Sequence, residues 1–393
     1  MGMPVILSAC RTPGGKFGGA LKGLDAPTLG GIAVAEAVRR AGVEPNIIGE
    51  VILGNGWQSG VGANPARIAE HRAGLPAEIP AFTLNKRCGS GLKAAMLIAD
   101  RIRLGDISAG VAGGMESASN VPYILSDARW GFRMGEKPAA DVLHKDGFLC
   151  PLAGMLMGAT AEVLAEEGGI TRTEQDEYAR ESHRKACRAI VEGWFKDEIT
   201  AVVLKDKRKG EVVVDTDEIP RPDTSLEALA KLPTIFKKDG TITAGSSSAL
   251  CDAGSAGLIA DADWAKAHGL KPLAEIIGYA SGALDALHMG LGPVVAIPKA
   301  LKKCGLTLDD MDLIEVNEAF AAQILACHRK MPFDMEKLNP CGGAIALGHP
   351  IGATGMKILA TLIHSLIRMD KELGIASACI GGGQGVAMVI RRL

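Results

Sequence analysis

The sequence is poor in aromatic residues and has almost no net charge. Only 4% of its 393 residues are Phe, Trp or Tyr, and 43 Lys and Arg against 45 Asp and Glu give a net charge of −2. A chain this close to neutrality has no general field to attract nucleic acid. It also lacks a run of about 18 apolar residues, so we expect no membrane span. The first dozen residues lack the basic and apolar regions of a secretory signal.

The cysteines lack the spacing of a metal site. There are nine, an odd number, and no two of them form a C-x-x-C pair. This pattern argues against a disulfide framework and against a zinc site, and we expect no metal. It favours the reducing cytoplasm, where most of these thiols would be small buried apolar side chains.

Glycine, by contrast, is abundant. The chain has 50 glycines without a three-residue period, which excludes collagen, and its 47% hydrophobic content excludes disorder as the main state. The glycines must therefore serve turns, tight packing or close approach of backbone to a ligand. At about 150 residues per domain, the length predicts two or three domains.

Apolar runs alternate with amphipathic segments along most of the chain. We predict strands at residues 4–8, 50–53, 81–84, 108–112, 272–279, 313–316, 375–379 and 386–390. We predict helices at residues 28–41, 89–104, 158–167, 173–191, 294–304, 318–328 and 355–368. This alternation predicts a layered α/β fold with a largely parallel sheet.

The stretch 120–243 has a different character, with frequent charged pairs, prolines and loop signals. We interpret it as an inserted subdomain. Its longer helix is predicted to begin after Thr173 as N-cap. The cationic run at 205–209 is interpreted as a solvated surface.

A weak internal repeat links the two ends of the chain. Residues 88–93 and 352–357 both open a predicted helix, and glycines follow a strand later at 113–114 and 381–383. The two features are offset by 264 and 268 residues. Two similar halves would explain this pattern, and chance similarity of two helix starts is the alternative.

Four residues stand at ends of predicted elements and could carry chemistry. Cys88 begins a helix, where unpaired N–H groups lower the pKa of a thiol, and His349 could accept its proton. Cys379 ends a strand, a usual place for ligands in α/β sheets. Asn317 precedes a helix, either as its N-cap or as the holder of a water or an oxygen. Each alone has a structural explanation, but together they are the set needed for acyl transfer through a thioester.

The motifs that contain these residues resemble those of the thiolase family, over the whole chain. They are SACRTP at 8–13, NKRCGSGL at 85–92, NEAFA at 317–321, GGAIALGHPIG at 342–352 and CIGGGQG at 379–385. The resemblance implies a five-layered αβαβα fold of two similar halves. Residues 1–119 with 244–270 would form the first half, 120–243 an inserted loop domain that binds CoA, and 271–393 the second half.

The resemblance also implies an activity and a role for each residue. The activity is reversible CoA-dependent cleavage of 3-ketoacyl-CoA, or Claisen condensation with acetyl-CoA, by a ping-pong mechanism. Cys88 would carry the acyl group after activation by His349, and Cys379 would be the general acid and base. Asn317, through a water, and His349 would form one oxyanion site, and the N–H groups of Cys88 and Gly381 the other.

Acyl-CoA and CoA would be substrates, with no permanently bound cofactor. Arg221 would approach the adenine end of CoA. The other expected substrate contacts are Met157, Phe236, Ala244, Ser248, Met289 and Phe320. The family also implies a homodimer or homotetramer, a place in fatty acid metabolism such as beta-oxidation, and no nucleic-acid partner.

Three departures from the family pattern and two rival functions remain. Residues 244–252 differ from the commoner family sequence and are nearer to that of degradative members. Leu156 stands where short-chain members carry His, which leaves longer acyl groups open. Cys341 stands before the glycines of the His349 motif, where we favour simple packing. A ketosynthase-like condensing enzyme is one rival, against which Cys379 and the insert argue. A non-catalytic lipid or CoA binder is the other, although such a protein should have lost a reactive group.

Overall fold

The apolar runs form a large mixed sheet with helices on both sides. The computed structural model describes residues 2–206 and 210–393, so part of the cationic run at 205–209 lies outside the described residues. The strands are β1 (Pro4–Arg11), β2 (Gly15–Lys16), β3 (Val51–Gly54), β4 (Ala81–Leu84), β5 (Ala109–Ser117), β6 (Tyr123–Ile124), β7 (Ala140–Asp141), β8 (Leu149–Cys150), β9 (Met155–Leu156), β10 (Val202–Asp206), β11 (Gly210–Val214), β12 (Cys251–Asp261), β13 (Ala274–Ala283), β14 (Leu313–Val316), β15 (Leu373–Ile380) and β16 (Gln384–Arg392).

Of the helices that the structure describes, seven follow the predicted amphipathic segments with ends shifted by a few residues, and four short ones, at 65–72, 226–230, 262–267 and 344–347, were not predicted. The helices are α1 (Ala26–Ala41), α2 (Pro65–Arg72), α3 (Ser90–Leu104), α4 (Met157–Gly168), α5 (Arg172–Val191), α6 (Leu226–Ala230), α7 (Ala262–Ala267), α8 (Gly292–Cys304), α9 (Ala321–Lys330), α10 (Ala344–Leu347) and α11 (Thr354–Arg368). Among the helices that the structure describes, we find none with both the length and the hydropathy that crossing a bilayer requires.

The predicted direction of the strands is wrong. The main sheet has the order β14-β15-β16-β13-β1-β12-β5-β3-β4, and five of these eight neighbouring pairs are antiparallel. One reason is a tight turn: Gly382 and Gly383 have positive φ and join β15 directly to β16 as a hairpin. Another is that β5 does not end at its two glycines but runs on to Ser117, paired with β12 along its whole length.

The strand pairing repeats between the two ends of the chain. In the first half β1 pairs antiparallel with β12, β12 antiparallel with β5, and β5 parallel with β3. In the second half β13, β16, β15 and β14 pair in the same order and directions. Even the outer parallel pair of β3 and β4 has a counterpart in a bridge between Ile314 and Leu338. This is the arrangement predicted from the repeated helix starts.

Helices α3 and α11 form the layer between the halves. They pack on each other, α3 against β3 and β5 and α11 against β14 and β15, while α1 covers the first half and α8 the second. The alternation of helix and sheet layers is the expected αβαβα order. Strands β1, β12, β13 and β16 link the two halves into one sheet.

The starts of α3 and α11 touch through two glycines related by the repeat. A Cβ atom on Gly91 would lie 2.5 Å from the backbone nitrogen of Met356, and one on Gly355 would lie still closer to that of Leu92. Real Cβ atoms do not approach backbone this closely, so both positions require glycine. The contact places the turn before α3 beside the loop before α11.

In the described residues, the segment between β5 and β12 contains α4, α5 and α6 and three short strand pairs beside the main sheet, β6 with β7, β8 with β9 and β10 with β11. The predicted N-cap of its long helix is wrong. Thr171, not Thr173, is the N-cap, because its hydroxyl accepts from the N–H of Glu174 while the Glu174 carboxylate accepts from the N–H of Thr171. This reciprocal capping box satisfies two free donors at once. The domain boundaries proposed above stay a prediction.

We predict that Gly91→Ala destabilises the protein, because the new methyl group has to displace the backbone of α11. The expected loss is about 1–3 kcal/mol, typical of overpacking. Gly23→Ala is the matched control, since a Cβ there meets nothing within 4 Å and should change stability by no more than about 0.5 kcal/mol. Chemical denaturation followed by circular dichroism measures both. Equal stability of Gly91→Ala and wild type would contradict the close contact.

Candidate active site

Cys88 lies in a single helical turn, Arg87–Gly89, that leads directly into α3. The backbone N–H groups of Gly381 and of Cys88 itself lie near the Cys88 thiol and favour its thiolate form. These two donors are those expected to form an oxyanion site. Burial raises the pKa of the Cys88 thiol, and the nearby Arg87 guanidinium partly offsets that effect. The sulfur is therefore a protonated thiol in the resting protein.

His349 lies against this thiol. Its Nε2 atom is 3.1 Å from the Sγ of Cys88, and its Nδ1 atom is 2.6 Å from the Oγ1 of Thr354. The Thr354 hydroxyl donates its one proton to the carbonyl of Pro350, at 3.0 Å. With its proton on that carbonyl, Oγ1 accepts from Nδ1–H, the tautomer in which the Nε2 lone pair faces Cys88. This arrangement favours the tautomer that can take the thiol proton.

The imidazole is neutral at rest. Burial, with the charges of Lys357 and Arg87, lowers the pKa of His349 to about 3. Lys357 acts at close range, since its Nζ atom donates to the carbonyls of Leu347 and Gly348 immediately before the histidine. A neutral thiol thus faces a neutral base, and the proton moves only when the sulfur attacks a substrate.

Cys379 is the second thiol of the site. It lies near the end of β15 and is buried. Burial, followed by the neighbouring Cys88 and Cys327, raises its pKa well above that of an ordinary thiol. It is therefore protonated in the resting protein, with a proton available to a reacting carbon.

One apolar cavity of about 60 Å³ joins these groups. Eight of the residues predicted from the sequence line it: Cys88, Met157, Ser248, Met289, Phe320, His349, Cys379 and Gly381. Five lining residues were not predicted: Arg87, Gly147, Phe148, Ala319 and Ile351. The nucleophile, the base, the second thiol and the glycine donor thus surround one small space.

A second cavity, of about 130 Å³, contains Arg221 and Ala244. The backbone N–H of Arg221 donates to the Nδ1 of His183, at 3.1 Å. Ser247 borders this cavity and Ser248 the first, so the same segment of chain follows both. Phe236 is a wall residue of neither but packs edge-on against Phe320, with ring centres 5.8 Å apart. It therefore contacts a wall residue of the first cavity.

Asn317 takes a different position from the one expected. It does not cap α9, whose N-cap is Phe320, and it is not among the residues lining the Cys88 cavity. Its side chain is buried beside a cavity of about 20 Å³ with Glu315 and Lys357. Neither polar atom of its amide bonds to a group in the described part of the chain. A buried amide needs partners, which fits the expected contact with a water.

Cys341 and Leu156, which depart from the family pattern, have simple local surroundings. Cys341 contacts the hydroxyl of Ser365 at 3.5 Å and accepts from Arg368 at 3.2 Å, and burial raises its pKa to about 11. This is the packing role favoured above. Leu156 pairs with Leu149 between β8 and β9 and is not a lining residue of the Cys88 cavity. Within the described ranges, no group of three or more His, Cys, Asp or Glu side chains is arranged to hold a metal ion.

Thr354 is the most informative residue that the sequence reasoning missed. Its signal is its position, five residues after His349 and one residue before Gly355, the glycine related to Gly91 by the repeat. Arg87 had a signal too, as a charged residue directly before the candidate nucleophile. Phe148 had none, since it comes from a segment far along the chain.

Comparisons with known proteins agree with this geometry. The family model described as "Thiolase, N-terminal domain" matches residues 4–263, and "Thiolase, C-terminal domain" matches residues 270–392. Acetyl-CoA acetyltransferase of Pseudomonas aeruginosa is 50% identical over 99% of both chains, and that of Escherichia coli is 49% identical over 99% of both. Among solved structures, the Bacillus anthracis acetyl-CoA acetyltransferase superposes with a TM-score of 0.98 at 45% identity, covering 100% of this chain and 99% of that one. Human mitochondrial 3-ketoacyl-CoA thiolase gives 0.96 at 41%, with the same coverage.

We predict that Thr354→Val slows alkylation of Cys88 by iodoacetamide at neutral pH by roughly tenfold, because His349 loses the acceptor that fixes its tautomer. Thr354→Ser keeps the hydroxyl and should react at the wild-type rate. Mass spectrometry of the peptide containing Cys88 measures the rate. Equal rates for the valine and serine variants would contradict the role of the hydroxyl.

Proposed function

The chain belongs to the thiolase family and is an acyltransferase, and we propose that Cys88, His349 and Cys379 perform its reaction. That reaction is reversible cleavage of a 3-ketoacyl-CoA by CoA and, in the other direction, Claisen condensation of an acyl group with acetyl-CoA. The observation that carries the proposal is the 3.1 Å contact between Cys88 Sγ and His349 Nε2, inside a cavity that also contains Cys379. This arrangement serves both steps of the reaction, transfer of the acyl group to the Cys88 sulfur and transfer of a proton at a substrate carbon.

In the first half of condensation, the sulfur of Cys88 attacks the thioester carbon of acetyl-CoA while His349 takes the thiol proton. The carbonyl oxygen becomes negative, and the N–H groups of Cys88 and Gly381 are proposed to stabilise it. The carbon–sulfur bond to CoA then breaks, and the leaving CoA sulfur takes the proton of Cys379, which becomes a thiolate, while His349 keeps the proton of Cys88. An acetyl-cysteine and free CoA result.

In the second half, Cys379 as thiolate removes a proton from the methyl group of another acetyl-CoA. The enolate carbon attacks the acetyl group on Cys88, a carbon–carbon bond forms, and the sulfur of Cys88 leaves and takes back its proton from His349. Asn317, through a water, and His349 are proposed to stabilise the enolate oxygen. Cleavage is the reverse sequence, in which Cys379 returns the proton to carbon and CoA accepts the acyl group.

The size of the cavity supports a short acyl group. About 60 Å³ is enough for only a few carbon atoms, and bulky Met157, Phe148, Met289 and Phe320 surround it. We therefore propose acetyl-CoA and acetoacetyl-CoA as preferred substrates, although Leu156 left longer groups open. Relatives named acetyl-CoA acetyltransferase support this choice.

We further propose that CoA binds along the second cavity, near Arg221 and Ala244, with no resident cofactor. The nine free cysteines support a cytoplasmic enzyme. Association of two or four copies is supported by edge strand β4 with its exposed Phe82, and by exposed Trp130 and Met134. In the cleavage direction the enzyme would serve fatty acid metabolism, including beta-oxidation.

Cys379 distinguishes the thiolase mechanism from the two rival functions. A ketosynthase-like enzyme does not need a second thiol beside the first, and a binding protein needs neither thiol nor base. The presence of both thiols and the oriented histidine around one cavity supports catalysis by a thiolase mechanism.

We predict that the wild-type protein incubated with acetyl-CoA gains one acetyl group and that Cys88→Ala gains none. Cys379→Ala should still be acetylated, because it keeps nucleophile and base, but should neither condense nor cleave. Intact mass spectrometry and thiolysis of acetoacetyl-CoA measure the two steps. Cys341→Ala is the control, and both steps should proceed in it. Acetylation of Cys88→Ala would overturn the assignment of the nucleophile.

A further inference from the structure

Arg87 is a charged residue in the wall of an otherwise apolar cavity. Of the described residues that line the space around Cys88, it alone has a permanent charge. Its φ is +48°, a left-handed conformation that non-glycine residues adopt uncommonly and that occurs most often where surrounding contacts impose it. The chain therefore keeps a strained arginine directly before its nucleophile.

The guanidinium of Arg87 is tied to a separate part of the chain. One of its terminal nitrogens donates to the carbonyl of Asp146, at 2.7 Å, and the other to the carbonyl of Gly147. Both carbonyls belong to the single helical turn Leu143–Phe148. This turn also lines the cavity, through Gly147 and Phe148. Arg87 thus connects the nucleophile turn to another part of the cavity wall.

The same turn is anchored from the other side. A Cβ atom on Gly147 would lie 2.5 Å from the ring of Trp57, and the rings of Trp57 and Phe148 pack edge-on with centres 5.9 Å apart. The turn is therefore fixed between Trp57 and the guanidinium. Removing the arginine frees it on the cavity side only.

Arg87 lies close to Gly381, whose N–H is proposed to hold the acyl carbonyl oxygen. Its Nε atom would be 3.1 Å from a Cβ atom on Gly381, and Met157 approaches the same point. Neither Arg87 nor Met157 borders the second cavity, which follows the chain segment that includes Ser247. Because Arg87 and the turn bound to it line the cavity that contains Cys88, they lie beside the space proposed for the acyl group.

We propose that Arg87 determines acyl-chain length, because its side chain and the turn it holds close the acyl end of the cavity. An alkyl chain longer than a few carbons would have to displace a hydrogen-bonded guanidinium, and no apolar group can replace those hydrogen bonds. The inference rests on the proposed function and adds a specificity-determining residue to it.

The test compares thiolysis of 3-ketooctanoyl-CoA and acetoacetyl-CoA, as the ratio of kcat/KM values. Arg87→Ala should raise that ratio by about tenfold or more. The reason is that each additional methylene group of the longer substrate then finds apolar space, and one buried methylene changes kcat/KM by about tenfold or more. Arg87→Gly, for which the left-handed backbone is unstrained, should do the same. Arg87→Lys, which keeps a cation and a long stem, should stay within about threefold of wild type.

Lys145→Ala is the matched control, because it removes an exposed cation from the same turn and should leave the ratio unchanged. A ratio within about twofold of wild type for both Arg87→Ala and Arg87→Gly would overturn the proposal, as would an equal rise in Lys145→Ala. Acetylation of Cys88, followed by intact mass, establishes that each variant keeps its nucleophile. A wild-type protein that cleaves no acetoacetyl-CoA would instead overturn the proposed function.

Discussion

The active site depends on the contact between the starts of α3 and α11. Gly91 and Gly355 allow the two backbones to meet without side chains between them. Cys88 lies just before α3, and His349 lies in the loop before α11. The contact therefore brings a thiol and an imidazole from opposite halves within hydrogen-bond distance. A side chain at either glycine would push the two helix starts apart. The distance between Cys88 Sγ and His349 Nε2 would then exceed that of a hydrogen bond.

The two repeated halves contribute differently to the active site. Cys88 corresponds in the repeat to Gly352, which has no side chain to react. The N–H of Gly352 bonds at 2.8 Å to the carboxylate of Glu116, which also accepts from Asn55 and Gly56. The start of α11 is thus bonded to a carboxylate of the chain's own Glu116, while the start of α3 faces a cavity. One geometry serves stability in one half and chemistry in the other.

Local signals predicted the elements well, and the reactive residues with them. Strands 81–84 and 313–316 have the predicted bounds, because short apolar runs between turn residues leave little choice. The strand directions were mispredicted, since they depend on which distant strands pair. In the site, Cys88 and His349 were found from their glycine-rich surroundings. The tautomer of His349 needed the hydroxyl of Thr354, whose direction only the folded loop determines.

The central claim is that a neutral His349 takes the proton of a neutral Cys88 during acyl transfer. The measurement that tests it most directly is the single-turnover rate of Cys88 acetylation by acetyl-CoA, as a function of pH. Because burial lowers the pKa of His349 to about 3 and raises that of Cys88, both groups keep their protonation states between roughly pH 5 and pH 8. The account predicts a rate that is flat over this range. A rate that falls on acidification with a midpoint near 6.5, the value of an ordinary histidine, would contradict it.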